Sequence, residues 1–292
     1  MIYLERFELL SEGQEGGMFV NRMNIYNNYY PLNIFPNKEF KSIIFEPITI
    51  FYGGNGSGKT TLLNIIGGAL NASKRNVDKR GDIFDSYVNI CKLSVEIIHK
   101  NECKSIKYIS SDDVFDWLLD LRAIDSGVNR RKEDLIKEYN EYKYTPSSNY
   151  NSSLDQYEEI KNKVDANRMT VSKYVRSRLT NNNILQQSNG ETALTFWENE
   201  IQDNSLYIID EPENSLSAAN QLKLKKFIEE SARFYNCQFI IATHSPFLLA
   251  LDEAKIYDLD TIPVKSKKWT ELENVKVYND FFKEHSKEFE NN

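Results

Sequence analysis

Gly53-Gly54-Asn55-Gly56-Ser57-Gly58-Lys59-Thr60 is the stretch on which the reading of this chain turns. It satisfies the pattern G-x-x-x-x-G-K-[ST], and its flanks suit that pattern. The preceding run, Ile43-Ile44-Phe45-Glu46-Pro47-Ile48-Thr49-Ile50-Phe51-Tyr52, is rich in β-branched and aromatic residues and predicts a strand. From Thr60 onward, Leu62, Leu63, Ile65, Ile66 and Leu70 recur at helical spacing. Glycines let a backbone curl until successive N–H groups converge on a phosphate at the positive end of a helix. Lys59 is expected to reach the β- and γ-phosphates of a nucleotide and the Thr60 hydroxyl to bind Mg²⁺. The candidate phosphate contacts are Gly53, Asn55, Gly56, Ser57, Gly58, Lys59, Thr60 and Thr61.

Two compact apolar runs lie further along, Leu206-Tyr207-Ile208-Ile209 and Phe239-Ile240-Ile241-Ala242. Runs this continuous suit strands covered on both faces. Between them Leu224, Phe227, Ile228 and Ala232 fall at i, i+3, i+4 and i+8, one apolar helical stripe. The unit is β-α-β, so the expected fold is α/β with a mostly parallel sheet. Asp210-Glu211 ends the first strand at the sheet edge where ligands bind in such folds. Asp210 is the candidate Mg²⁺ ligand, and Glu211 the base that takes a proton from the water attacking the γ-phosphate. Thr243-His244-Ser245-Pro246 follows the next strand, which would deliver His244 to the same edge; His99 and His285 carry no such context.

A P-loop, a strand ending Asp-Glu-Pro and then Thr-His-Ser-Pro together resemble the ATP-binding-cassette class of ATPases, in particular the SMC- and RecF-like branch and the small bacterial AAA-labelled ATPases related to it. The resemblance spans nearly the whole chain. It implies a P-loop NTPase core with an inserted helical lobe, ATP and Mg²⁺ as ligand and cofactor, and ATP hydrolysis. It also implies a signature opening a helix upstream of the acidic strand, and Gln187-Ser188-Asn189-Gly190-Glu191 occupies that place. In that class the signature of one subunit closes over the γ-phosphate held by another. Ser188 and the Gly190 backbone are therefore expected donors across an ATP-sandwich homodimer. Two departures stand out: Ser217 where that class commonly has Asp, and no glutamine at Tyr108–Asp113, where it places a Mg²⁺- and water-sensing residue. The adenine-stacking aromatic stays open among Tyr26, Tyr29, Tyr30 and Phe35.

Around these motifs the chain divides into a nucleotide-binding lobe of residues 1–110 and 181–262, a helical insert of 111–180 and a C-terminal peripheral helix of 263–292. Residues 1–10 are expected as a strand, and 93–98 with 105–110 as a strand pair. Thr270-Glu271-Leu272-Glu273 reads as a capping box opening the last helix. Residues 121–180 carry 12 basic and 9 acidic side chains. This is either an ordinary solvated helical face or, at Arg168, Lys173, Arg176 and Arg178, a place for an anionic partner. The stretch between Thr60 and Asp210 is too short for long coiled-coil arms, and residues 245–292 are too few for an appended nuclease.

The formal charge of −7 over 292 residues argues against bulk attraction to nucleic acid. Cys91, Cys103 and Cys237 are odd in number and lack metal-site spacing, which suits a reducing cytoplasm. No apolar run reaches membrane-spanning length, and the first residues lack a signal pattern, so a soluble cytoplasmic protein is expected. The function these readings converge on is an ATPase whose ATP-driven dimerisation works as a switch or motor on DNA or an effector partner. The alternative is the nucleotide-binding subunit of a membrane transporter.

Overall fold

A computed structural model describes residues 1–20, 29–75, 81–144, 157–169, 171–178, 189–214 and 216–290. Its elements in chain order are β1 (Leu4–Glu8), α1 (Glu12–Val20), β2 (Ser42–Ile44), β3 (Ile48–Tyr52), α2 (Lys59–Ala69), α3 (Asp82–Cys91), β4 (Val95–Ile97), β5 (Ser105–Ser110) and α4 (Ser111–Tyr144). After these come α5 (Tyr157–Arg168), α6 (Val171–Arg178), α7 (Asn189–Glu200), β6 (Ser205–Asp210), α8 (Ala218–Phe234), β7 (Gln238–Ala242), α9 (Pro246–Leu249), β8 (Lys255–Asp258), β9 (Lys265–Lys267), α10 (Glu273–Glu284) and α11 (Ser286–Glu290). They form two compact units, Met1–Phe115 with Asn189–Asn292, and Asp116–Ser188.

The first unit is mixed α/β. A six-stranded sheet runs β5-β6-β7-β3-β8-β9, parallel except for the antiparallel β8–β9 edge. Every residue of β3, β6 and β7 is buried, which is why these strands read as unbroken apolar runs rather than alternating ones. In this order β7 lies between β3 and β6, so the strands carrying the P-loop and the acidic pair flank the strand that carries His244. Parallel register puts Ser110, Asp210, Ala242 and Phe51 in one row across the sheet, so four strands reach the same edge together. Leu62, Leu63, Ile65 and Ile66 of α2 are buried in the core with Ile208 of β6 and Ile240 of β7. Each such side chain contributes on the order of 1.5–3 kcal/mol by leaving water.

Three expectations change. The run 43–52 is two strands, because Pro47 has no N–H to donate to a ladder. β2 pairs with β1 in a separate antiparallel sheet, β2-β1-β4, while β3 joins the central one. The segments around 93–98 and 105–110 are strands but do not pair with each other. The short, largely exposed β4 joins β1, whereas β5, with Tyr108 and Ile109 buried, lies parallel to β6. The segment 263–292 holds the strand β9 and two helices rather than one helix; α10 starts after Leu272, and the capping pair belongs to a 3₁₀ turn before it, where Lys268 N donates to Glu271 Oε2 at 3.0 Å.

The second unit is helical. Tyr139, Ala166 and Tyr174 form its small core, with the two tyrosine rings packed edge-on. Arg178 lies over the Tyr174 ring at 3.6 Å and bonds Asp165 Oδ2 at 3.0 Å and Asn162 Oδ1 at 2.7 Å. This cation of the basic stretch is therefore engaged in holding its own unit together.

Candidate functional site

β3 runs into the glycine loop and α2 leaves it. Gly58 caps α2 in the left-handed region at φ 97°, where a residue with a side chain would be strained. Gly53 is required for a different reason: a Cβ there would meet Ser57 Oγ at 2.5 Å. Lys59 is buried, and its ammonium donates back to Gly53 O at 2.7 Å and Gly54 O at 3.1 Å. The Gly54 N–H donates to Asp260 Oδ2 at 2.8 Å, from the turn after β8. Ser57 is buried, and its hydroxyl has no partner among the described residues. Asn55 and Gly56 are exposed at the tip, and Thr60 and Thr61 open the first turn of α2.

Asp210 ends β6 as a buried carboxyl. Burial pushes its pKa up, the Thr60 hydroxyl pulls it down through a hydrogen bond, the Glu211 charge raises it, and Lys59 and the Tyr108 hydroxyl lower it. Tyr108 OH donates to Oδ2 at 3.4 Å, while Oδ1 has no partner among the described residues. A buried acid with one oxygen free, beside a threonine hydroxyl, has the donor chemistry to hold a Mg²⁺ ion. The residues present fit that cation: its positive charge would reverse the penalty that burial puts on the carboxylate.

Glu211 follows in the left-handed region at φ 49°, which turns the chain sharply at the sheet edge. Its Oε2 accepts from Asn214 Nδ2 at 3.1 Å, and its Oε1 lies 3.9 Å from His244 Nδ1. A second acid stands closer to that ring: Glu213 Oε1 lies 3.5 Å from Nδ1.

Lys59, Thr60, Asp210, Glu211 and His244 thus come from three adjacent strand ends of one sheet edge. Gly190 lies in the first turn of α7, whereas Ser188 and Tyr26 fall outside the described residues. Of the other aromatics, Phe35 is buried beneath Gly58 and Tyr30 stacks on Phe84. At Tyr108–Asp113, where the resemblance implies a glutamine, β5 turns directly into α4 through a reciprocal capping box. Ser110 N donates to Asp113 Oδ2 at 2.8 Å and Asp113 N to Ser110 Oγ at 3.3 Å. Ser217 caps α8, its hydroxyl accepting from Asn220 N, so the serine at that departure has a local use. Sequence reasoning passed over Glu213, Tyr108 and Asp260. Only Glu213 had a signal, a charge placed directly after Asp-Glu-Pro.

A glycine loop between a parallel strand and a helix, a buried acid beside the loop's threonine, and a second acid facing a histidine on the adjacent strand define a P-loop protein of the α/β class. The chain belongs to the AAA domain family, whose model matches residues 31–287. It is 24% identical over 208 residues to an uncharacterized ABC transporter ATP-binding protein/permease of Saccharomyces cerevisiae, covering 70% of this chain and 14% of that protein's length. Among solved structures it is similar to an SMC head domain from Thermotoga maritima, at 12% identity and a TM-score of 0.38 over 91% of this chain and 99% of that one. It is also similar to a nucleotide-free ATP-binding cassette from an ABC transporter, at 14% identity and a TM-score of 0.39 over 93% and 94%. No helix among the described residues is long and apolar enough to cross a membrane.

Proposed function

We propose that this protein binds ATP with Mg²⁺ and hydrolyses it to ADP and phosphate, and that ATP closes two copies into a head-to-tail dimer that works as a switch or motor for DNA or an effector protein in the cytoplasm. The observation that carries the reading is the meeting of Lys59, Asp210 with Thr60, and Glu211 with His244 at one sheet edge. In this reading the loop amides and Lys59 hold the triphosphate, and Thr60 and Asp210 hold the metal. When bound, Mg²⁺ would neutralise charge on the phosphates. Glu211 takes the proton of the attacking water, His244 contacts the γ-phosphate, and Ser188 with the Gly190 amide completes the site from the other subunit. In Glu211→Gln the side chain keeps its size and loses its basicity.

Steady-state phosphate release with Mg²⁺ tests the chemistry. The wild type is expected to turn over slowly, and Glu211→Gln to fall by about a hundredfold or more. Equal turnover in the two proteins would remove Glu211 as the base. A second reading, a nucleotide-binding subunit serving a membrane-embedded partner, is favoured by the yeast relative's description. It predicts recovery of the native protein with the membrane fraction, where the first reading predicts recovery in the soluble one.

A further inference from the structure

The turn after the acidic strand and the turn carrying His244 are joined by one buried side chain. Glu213 Oε1 accepts from Thr243 Oγ1 at 2.7 Å, from His244 N at 3.0 Å and from Ser245 N at 3.2 Å, and it faces His244 Nδ1 at 3.5 Å. Glu213 is buried, and Oε2 has no partner among the described residues. Placing a carboxylate in a buried site is costly unless hydrogen bonds to its charged form offset the loss of water. Here those bonds all come from three consecutive residues, the ones that set where the His244 ring stands.

The same two turns are tied again by Gln221 of α8, which accepts from Ser245 Oγ at 2.6 Å and donates to Leu216 O at 3.0 Å. Glu213 is tied back to Glu211 through a short turn, in which Asn214 N donates to Glu211 O at 3.2 Å and Asn214 Nδ2 to Glu211 Oε2. Among the described residues the Glu213 carboxylate itself meets only the turn that carries His244, while Asn214 holds Glu211. When both ring nitrogens carry protons, an imidazole whose Nδ1–H faces carboxylates has its Nε2–H left to donate to a phosphate oxygen.

We propose that Glu213 is a positioning residue that acts through His244: it holds the backbone and ring of the histidine in register with Glu211. The proposal rests on the hydrolytic reading above. Glu213 itself is not expected to touch the nucleotide.

The test uses the full chain and the variants Glu213→Gln, His244→Ala and the double variant. Glu213→Gln keeps an acceptor oxygen for the three donors, so folding should survive, while the charge facing Nδ1 is gone. Phosphate release is expected to fall about tenfold to a hundredfold in kcat with KM for ATP nearly unchanged. Adding Glu213→Gln to His244→Ala should cost nothing further, because the two residues act as one unit. A multiplicative loss in the double variant, or a change in KM alone, would overturn the proposal.

A second readout does not depend on turnover. The chain has three histidines, His99, His244 and His285, so imidazole ¹⁵N–¹H spectra of the nucleotide-free protein report each ring. Glu213→Gln should shift the His244 resonances and leave those of His99 and His285 in place. An unmoved His244 would overturn the proposal. A wild type that releases no phosphate but whose His244 signal shifts in Glu213→Gln would sink the hydrolytic reading and leave the positioning contact standing.

Discussion

At the scale of single residues, the glycine loop makes the sharpest demands. A methyl group at Gly53 would sit 2.5 Å from Ser57 Oγ and 2.8 Å from Ser57 Cβ, so Gly53→Ala must push Ser57 and the first turn of α2 aside. Nucleotide affinity, measured with a fluorescent ATP analogue, is expected to fall at least about tenfold; unchanged affinity would mean the loop can shift without loss. The thiols give a second residue-scale expectation. Burial pushes Cys91 up to about 12 and Cys237 up to about 11, and the thiolate is the reactive form. Both should resist a disulfide reagent at pH 8, so the native protein reacts at no more than the partly buried Cys103, and all three cysteines react after unfolding. Most of the candidate site was legible at this scale, because Gly53 to Thr60, Asp210-Glu211 and His244 are short local patterns whose chemistry is tied to spacing. Of Glu213 only the charge was visible: its meaning lies in contacts with residues about thirty positions away, in the turn after another strand.

At the scale of elements, the strands that carry the site were visible because they are buried on both faces, while the edges were not. β8 and β9 are short and flanked by charge, and the split between β2 and β3 is decided by Pro47 together with which sheet each half joins. The pairing partners of β4 and β5 are long-range choices that their own sequences do not contain. One buried side chain governs how β1 meets the central sheet. Gln238, at the start of β7, accepts from Tyr3 N and Leu4 N at 2.8 Å each and donates to Leu4 O at 2.8 Å and Glu46 O at 3.2 Å. Gln238→Leu would fill the space and strand these backbone groups. Urea unfolding should show a loss of roughly 2–4 kcal/mol; a loss under about 0.5 kcal/mol would mean that other partners take over the freed groups.

At the scale of the whole molecule, the charge distribution and the placement of Gly190 at the opening of α7 bear on assembly rather than on fold. Size-exclusion chromatography with light scattering of Glu211→Gln is expected to show a monomer without nucleotide and a dimer with ATP and Mg²⁺. Ser188→Arg in that background should abolish the dimer while leaving ATP affinity within about twofold, since Ser188 is assigned to the opposite subunit's nucleotide. A dimer that persists in Ser188→Arg would show that the subunits meet through another surface.

The ammonium of Lys59 is already satisfied by two carbonyls of its own loop, and one loop amide is spoken for by Asp260. Uptake of an anion is therefore an exchange of partners rather than a simple addition. A lone orthophosphate offers fewer oxygens and less charge to that exchange than a chain of phosphates does. A polyphosphate chain, which can engage several amides at once while drawing the cation off its carbonyls, is better equipped for that exchange than a single phosphate group.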